Sequence, residues 1–247
     1  MKLSRIMSLE KNDIVSISGA GGKTSLMFFL SQELRKSHKV LITTSTKIYA
    51  PEKGMYDYLV LEESKEFPVC NMYHSSNGVY VIGRKVNEEN KLEGISKGYL
   101  NNIASSFYYI FIEADGSKRK PVKGWNEFEP VVYENTSKTI GVLDIQVTGK
   151  KADESLVHRV DKFLELTSLE ENQIIKLEHL KVVVLEENGL FKNALGKRIL
   201  FINKVEREED FINAERLAEL LMLNSSNYID RIIIGSLLQG RFEMYVP

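Results

Sequence analysis

Cysteine is nearly absent. Cys70 is the single one in 247 residues, which excludes an internal disulfide and fits a reducing, cytoplasmic location. Flanked by Pro68 and Val69, it reads as a small packed side chain rather than a nucleophile. Net charge is nearly absent too, with 33 Lys and Arg against 34 Asp and Glu. Such a balance gives no electrostatic case for nucleic acid or an anionic membrane as partner. No run of about 18 apolar residues occurs, so no membrane span is expected. The opening MKLSRIMSLEKND lacks the apolar core of a secretory signal. The four histidines show no metal-ligand spacing, and zinc is not expected.

What is present is a series of short apolar runs rich in β-branched residues. They fall at 13–18, 39–44, 57–62, 79–83, 108–114, 138–144, 180–186, 198–204 and 228–237. Near-continuous apolar runs suggest strands buried on both faces, as in a parallel sheet. Helical spacing lies between some of them, at 24–36, 91–107 and 210–223, with Asp210 as N-cap of the last. The alternation predicts a layered α/β fold, three layers with a mostly parallel sheet. The polar stretch 146–180 reads as a small helical insertion or lid on a single domain spanning 1–247.

SISGAGGKTS, residues 16–25, joins the first strand to the first helix. Gly19, Gly21 and Gly22, with Ala20 between, permit backbone conformations closed to other residues. Their N–H groups, with those of Ser25 and the helix start, suit phosphate oxygens. Lys23 supplies a charge for the outer phosphates and Thr24 a hydroxyl for Mg²⁺. A longer phosphate loop has glycine where Ile17 stands, so this is the shorter loop class used by Mur ligases and folylpolyglutamate synthases. Mg²⁺ with ATP or GTP is the expected cofactor. An apolar strand ends in Glu113, Asp115 and Gly116. A carboxylate there suits Mg²⁺, so Asp115 is expected to share the metal with Thr24 and Glu113 to orient water. Gly116 is expected to let the chain turn close to the γ-phosphate.

Further candidates are weaker. Thr44, Thr46 and Lys47 follow the second strand, and Lys118 and Arg119 sit in a basic loop after the acidic strand. Glu127 and Glu129 flank the loop of the only tryptophan, and His158 and Arg159 lie in VHRVDKF. Asn203 and Lys204 open an N-K-x-E variant of a guanine-binding motif, which suits contact with a base. Three uses of the site stay open. They are NTP hydrolysis, an ATP-dependent ligase or kinase acting on a small acid, and a carrier that binds nucleotide without turnover.

Taken in order, SGAGGKTSLM, LITTSTKI, FIEADGSKRKPVK, FEPVV, VHRVDKF, LFINKVE and IIIGSL resemble the YqeC family from about residue 13 to 237. The family is described as accessory to selenium-dependent molybdenum hydroxylases. The resemblance implies a P-loop nucleotide-binding fold and a part in maturing such a hydroxylase or supplying its cofactor. The family reads N-K-A-D where this chain has Asn203, Lys204, Val205 and Glu206, so guanine specificity is not carried over.

Overall fold

The computed structural model describes residues 1–64, 76–224 and 228–245. Cys70 and His74 lie outside the described residues. Helix α1 (Leu3–Ile6) leads to β1 (Asp13–Gly19), the glycine loop and α2 (Lys23–Leu34). Strands β2 (Lys39–Thr44), β3 (Lys47–Tyr49), β4 (Tyr58–Leu61), β5 (Gly78–Gly83) and β6 (Lys91–Glu93) follow. Then come α3 (Lys97–Ala104), β7 (Tyr109–Glu113), β8 (Val122–Lys123) and β9 (Lys138–Asp144). Next are β10 (Val157–His158), α4 (Val160–Thr167) and α5 (Leu177–Leu185). The chain closes with β11 (Lys197–Asn203), α6 (Glu208–Asn224), β12 (Arg231–Ser236) and β13 (Arg241–Met244).

Nine strands form one sheet in the order β13-β12-β11-β9-β1-β7-β2-β5-β4. Every neighbouring pair is parallel except β12 and β13. The central strands are buried along nearly their whole length because both faces are covered. Side chains alternate between those faces. Val15, Val40, Phe111, Val142 and Phe201 pack on the side of α1 and α2. Leu41, Ile110 and Ile112 meet α3 on the other side, while Leu143, Leu200 and Ile202 meet α4, α5 and α6. The result is a three-layer α/β fold of P-loop type.

Several local expectations change. LKVVVLE is helical, not a strand, and forms most of α5. It buries Leu180, Val183 and Val184 at helical spacing, and that burial outweighs the weak helix propensity of three valines. Of the helix expected over 91–107, residues 91–93 are extended because they pair with β3. The helix itself starts after Ser96, whose Oγ accepts the Tyr99 N–H at 3.2 Å. Helix α6 begins two residues before Asp210. The Asp210 carboxylate still receives the backbone N–H groups of Glu206 and Arg207, at 3.2 and 3.0 Å. The 146–180 stretch is built into the core through Val147, Val157, Phe163 and Ile175. None of its residues borders the cavity described next.

Candidate functional site

A cavity of about 1000 Å³ opens at the carboxyl ends of the parallel strands. Its floor is Gly21 to Ser25, running from the loop after β1 into α2. Glu113 at the end of β7, Asn203 at the end of β11 and Leu237 just beyond β12 border it. This is where an open parallel sheet places its ligand, because the loops leaving neighbouring strands diverge there. β1 is flanked by β7 on one side and β9 on the other. From β1 the chain passes to β2, runs to the edge strand β4 and returns through β5 to β7 before crossing to β9 and beyond, so the cavity sits where the winding changes direction.

The loop is pressed onto its neighbours. Gly19, Gly21 and Gly22 have φ of 99°, 78° and 140°, a region L-residues rarely adopt. A Cβ on Gly19 would lie 2.3 Å from the Val142 carbonyl, and one on Gly21 2.4 Å from Asp144 Cβ. The Ala20 N–H donates to Val142 O at 3.1 Å. Gly19 and Ala20 therefore lie beneath the cavity, and only the loop from Gly21 onward faces it.

Lys23 is 3% exposed. Its Nζ donates to Gly19 O at 2.6 Å and stands 3.3 Å from Asp115 Oδ1 and 3.6 Å from Glu113 Oε1. Burial pushes its pKa down, but the two carboxylates outweigh burial and raise it. Thr24 Oγ1 donates to Glu113 Oε2 at 2.6 Å. Burial raises the Glu113 pKa against the opposing pull of Lys23 and Thr24.

Asp115 also faces Lys23 but sits deeper than Glu113. It is fully buried and does not border the cavity. Its Oδ2 accepts from Gly19 N at 3.2 Å, Lys123 Nζ at 3.0 Å and Trp125 Nε1 at 2.7 Å. Burial pushes its pKa up, yet Lys23 and Lys123 outweigh it and hold it below the ordinary carboxylate range. Of the two carboxylates Glu113 borders the cavity, and Asp115 is a strut under the loop. The strut continues outward. Lys123 donates to Gly116 O at 2.7 Å and Glu129 Oε2 at 3.1 Å, and both guanidinium ends of Arg159 grip Glu129.

The other candidates divide between cavity and scaffold. Asn203 Nδ2 donates to Gly21 O at 2.8 Å and its Oδ1 accepts from Leu237 N at 3.3 Å. Lys204 pairs with Asp144 at 2.5 Å and borders the cavity, as does Glu206. Lys47, Lys118 and Arg119 line the opposite end. Thr44 donates to Glu113 O at 2.9 Å and contacts Thr46 Oγ1 at 3.2 Å, which ties β2 to β7 below the cavity. Glu127 is exposed and Glu129, Arg159 and His158 lie off the cavity. Burial, then Arg159 and Lys123, push the His158 pKa down to about 4, so its imidazole is neutral at pH 7. Gly116 borders the cavity, but a Cβ there would meet nothing within 4 Å, so its bend does not require glycine.

A protein of Escherichia coli (strain K12) named Uncharacterized protein YqeC is 30% identical over 235 residues, 91% of this chain and 87% of that protein. The family model described as YqeC protein matches residues 15–161. The chain belongs to the YqeC family. The YqeC match takes in the loop, Glu113, Asp115, Lys123 and the Glu129–Arg159 pair, and stops before Asn203. Sequence reasoning missed Asp144, Tyr49 and Lys91. Asp144 had a signal: it ends an apolar strand, as Glu113 does. Tyr49 and Lys91 sit in three-residue strands too short to show a period.

No helix of the described residues is long and apolar enough to cross a membrane. No group of three or more His, Cys, Asp or Glu side chains is placed to hold a metal among them. A small hard cation completed by phosphate oxygens and water needs only one or two protein oxygens. The Thr24 hydroxyl and Glu113 carboxylate, 2.6 Å apart, form such a donor set.

Proposed function

We propose that the chain binds a Mg²⁺–nucleoside triphosphate, ATP or GTP, on residues 21–25 and hydrolyses it. The observation that supports this best is the convergence of Lys23, Thr24 and Glu113 on one cavity floor at a helix N-terminus. Backbone N–H groups of the loop and first turn orient the phosphates. Lys23, kept charged by its carboxylate neighbours, neutralises the outer ones. Mg²⁺, when bound, supplies further charge neutralisation beside Thr24 and Glu113. Asp115 acts at one remove by fixing Gly19 and Lys23. The base lies toward Lys204, Leu237 and Leu238.

The deciding measurement is Mg²⁺-dependent nucleotide binding and turnover by the intact chain and by Lys23→Ala. Binding that Lys23→Ala abolishes supports the reading, and an intact chain that binds no nucleotide ends it. The accessory role implied by the family resemblance is part of the same proposal. It predicts that a selenium-dependent molybdenum hydroxylase, or its cofactor, raises the turnover rate.

A further inference from the structure

The cavity is larger than a phosphate chain needs. About 1000 Å³ is the upper end of small-molecule pockets. The glycine loop lies mid-floor, with β11 and β12 to one side of β1 and β7 and β2 to the other. On the β7 and β2 side stand Lys47, Lys91, Lys118, Arg119 and Lys120, and Glu113 is the only carboxylate among the lining residues there.

The positive wall is built from two pieces. One is the β3–β6 ribbon, in which Tyr49 pairs with Lys91 and Lys47 with Glu93. Lys47 and Tyr49 are both exposed, on one face of their strand. The other piece is the 116–120 loop. Lys118 and Arg119 occupy successive left-handed conformations, φ 49° and 62°, which cost energy in residues other than glycine. Arg119 lays its guanidinium 3.9 Å from the Tyr49 ring centroid, and Lys91 Nζ stands 5.6 Å from the same ring. Stacking on tyrosine holds the guanidinium plane while leaving its N–H edge able to grip an oxyanion in two places. Tyr49, Ile48 and Met55 add apolar and aromatic surface to the same wall.

We infer that this half of the cavity binds a small molecule carrying a phosphate on a planar ring, held by Arg119, Lys47 and Tyr49. That it is a second ligand, bound beside a nucleotide, rests on the reading proposed above. A ring suits the Tyr49 surface. Lys47 pairs with Glu93 at 2.9 Å, Lys91 pairs with Glu89 at 2.6 Å and Lys120 is held by the Glu154 and Val157 carbonyls, whereas Lys118 and Arg119 have no carboxylate partner among the described residues, and that surplus suits a phosphate.

The test uses phenyl phosphate as the smallest such probe, followed by ligand-observed NMR and calorimetry. The protein is first saturated with Mg²⁺ and a nonhydrolysable ATP analogue. Phenyl phosphate is expected to bind the loaded protein, benzoate more weakly and phenol not measurably. Arg119→Gln should weaken phenyl phosphate about tenfold, the scale of one charge-assisted contact, and leave the analogue within about twofold. Tyr49→Ala should weaken phenyl phosphate too and reduce saturation transfer to its ring protons. Competition between phenyl phosphate and the analogue, or equal weakening of both by Arg119→Gln, would assign the wall to the nucleotide and overturn the inference. Failure of phenyl phosphate to bind the loaded protein would overturn it as well. Arg119-dependent phenyl phosphate binding in a chain that takes no nucleotide would instead remove the nucleotide reading and keep this wall as an anion site.

Discussion

Glu113 and Asp115 stand two residues apart, and both reach Lys23, yet burial separates their roles. Glu113 faces the cavity with a raised pKa, while Asp115 takes three donors on Oδ2, pairs with Lys23 through Oδ1 and is held ionised. A carboxylate beside incoming phosphates repels them unless a cation intervenes. Glu113→Gln is therefore expected to bind Mg²⁺-free nucleotide more tightly than the parent and to lose most turnover, read by calorimetry and phosphate release. The raised pKa gives a second signature. Metal affinity needs the carboxylate form, so affinity for Mg²⁺–nucleotide should fall as pH drops through a range above the ordinary carboxylate pKa. The Glu113→Gln profile should be flat there. Asp115→Asn acts differently. It leaves buried Lys123 with a weakened counter-charge, and breaking such a pair costs about 3 kcal/mol or more. Denaturant unfolding should show that loss with no ligand present.

At the scale of elements, the glycine loop is shaped by the strands under it, and individual glycines should respond unequally. Gly21→Ala forces a Cβ against Asp144 at a left-handed φ, whereas Gly116→Ala meets open space. The first should abolish nucleotide binding and lower the melting temperature, and the second should change neither appreciably. Helix α6 offers an independent test. Burial pushes the Asp210 pKa up, but Arg207, Gln146 and two backbone N–H groups outweigh it and hold the group down to about 2. A depressed carboxylate stabilises the fold above its unfolded pKa, near 3.8, and that contribution fades as pH falls toward 2. Asp210→Asn should then cost about 1–2 kcal/mol at pH 7, and the gap from the parent should close below about pH 4.

These elements were unequally visible in the sequence. β1 is an apolar run that ends at a glycine, and β7 and β9 are apolar runs that end in carboxylates, so both the sheet and the rim of the cavity could be read. The metal role assigned to Asp115 could not be checked that way, because strand alternation places it beside Glu113 and cannot show that Lys123 and Trp125 close over it. The β3–β6 ribbon was hidden for a different reason. Its strands are three residues long, and what makes Lys47, Tyr49 and Lys91 one surface is a pairing between distant segments. LKVVVLE misled because buried helices and buried strands share composition, and its partners lie on α6, thirty residues on.

Across the whole molecule, the glycine loop is fastened to both halves of the sheet. Gly19 is tied to Asp115 after β7, Gly21 to Asn203 at the end of β11, and Asn203 to Leu237 beyond β12. A ligand seated on this loop therefore binds only when the central strands are in register, so it stabilises the folded state as a unit. With nucleotide at a hundred times its dissociation constant, mass action adds about 2.7 kcal/mol. For a chain of this size that corresponds to a melting shift of roughly 5–10 °C. The shift should require Mg²⁺ and vanish in Lys23→Ala, whose lost charge lies at the loop itself. It should persist in Arg119→Gln, because Arg119 touches Tyr49 of the ribbon rather than the loop. A shift abolished equally by both substitutions would mean that the two ends of the cavity bind one ligand. A shift abolished by Lys23→Ala alone would separate the loop from the basic wall.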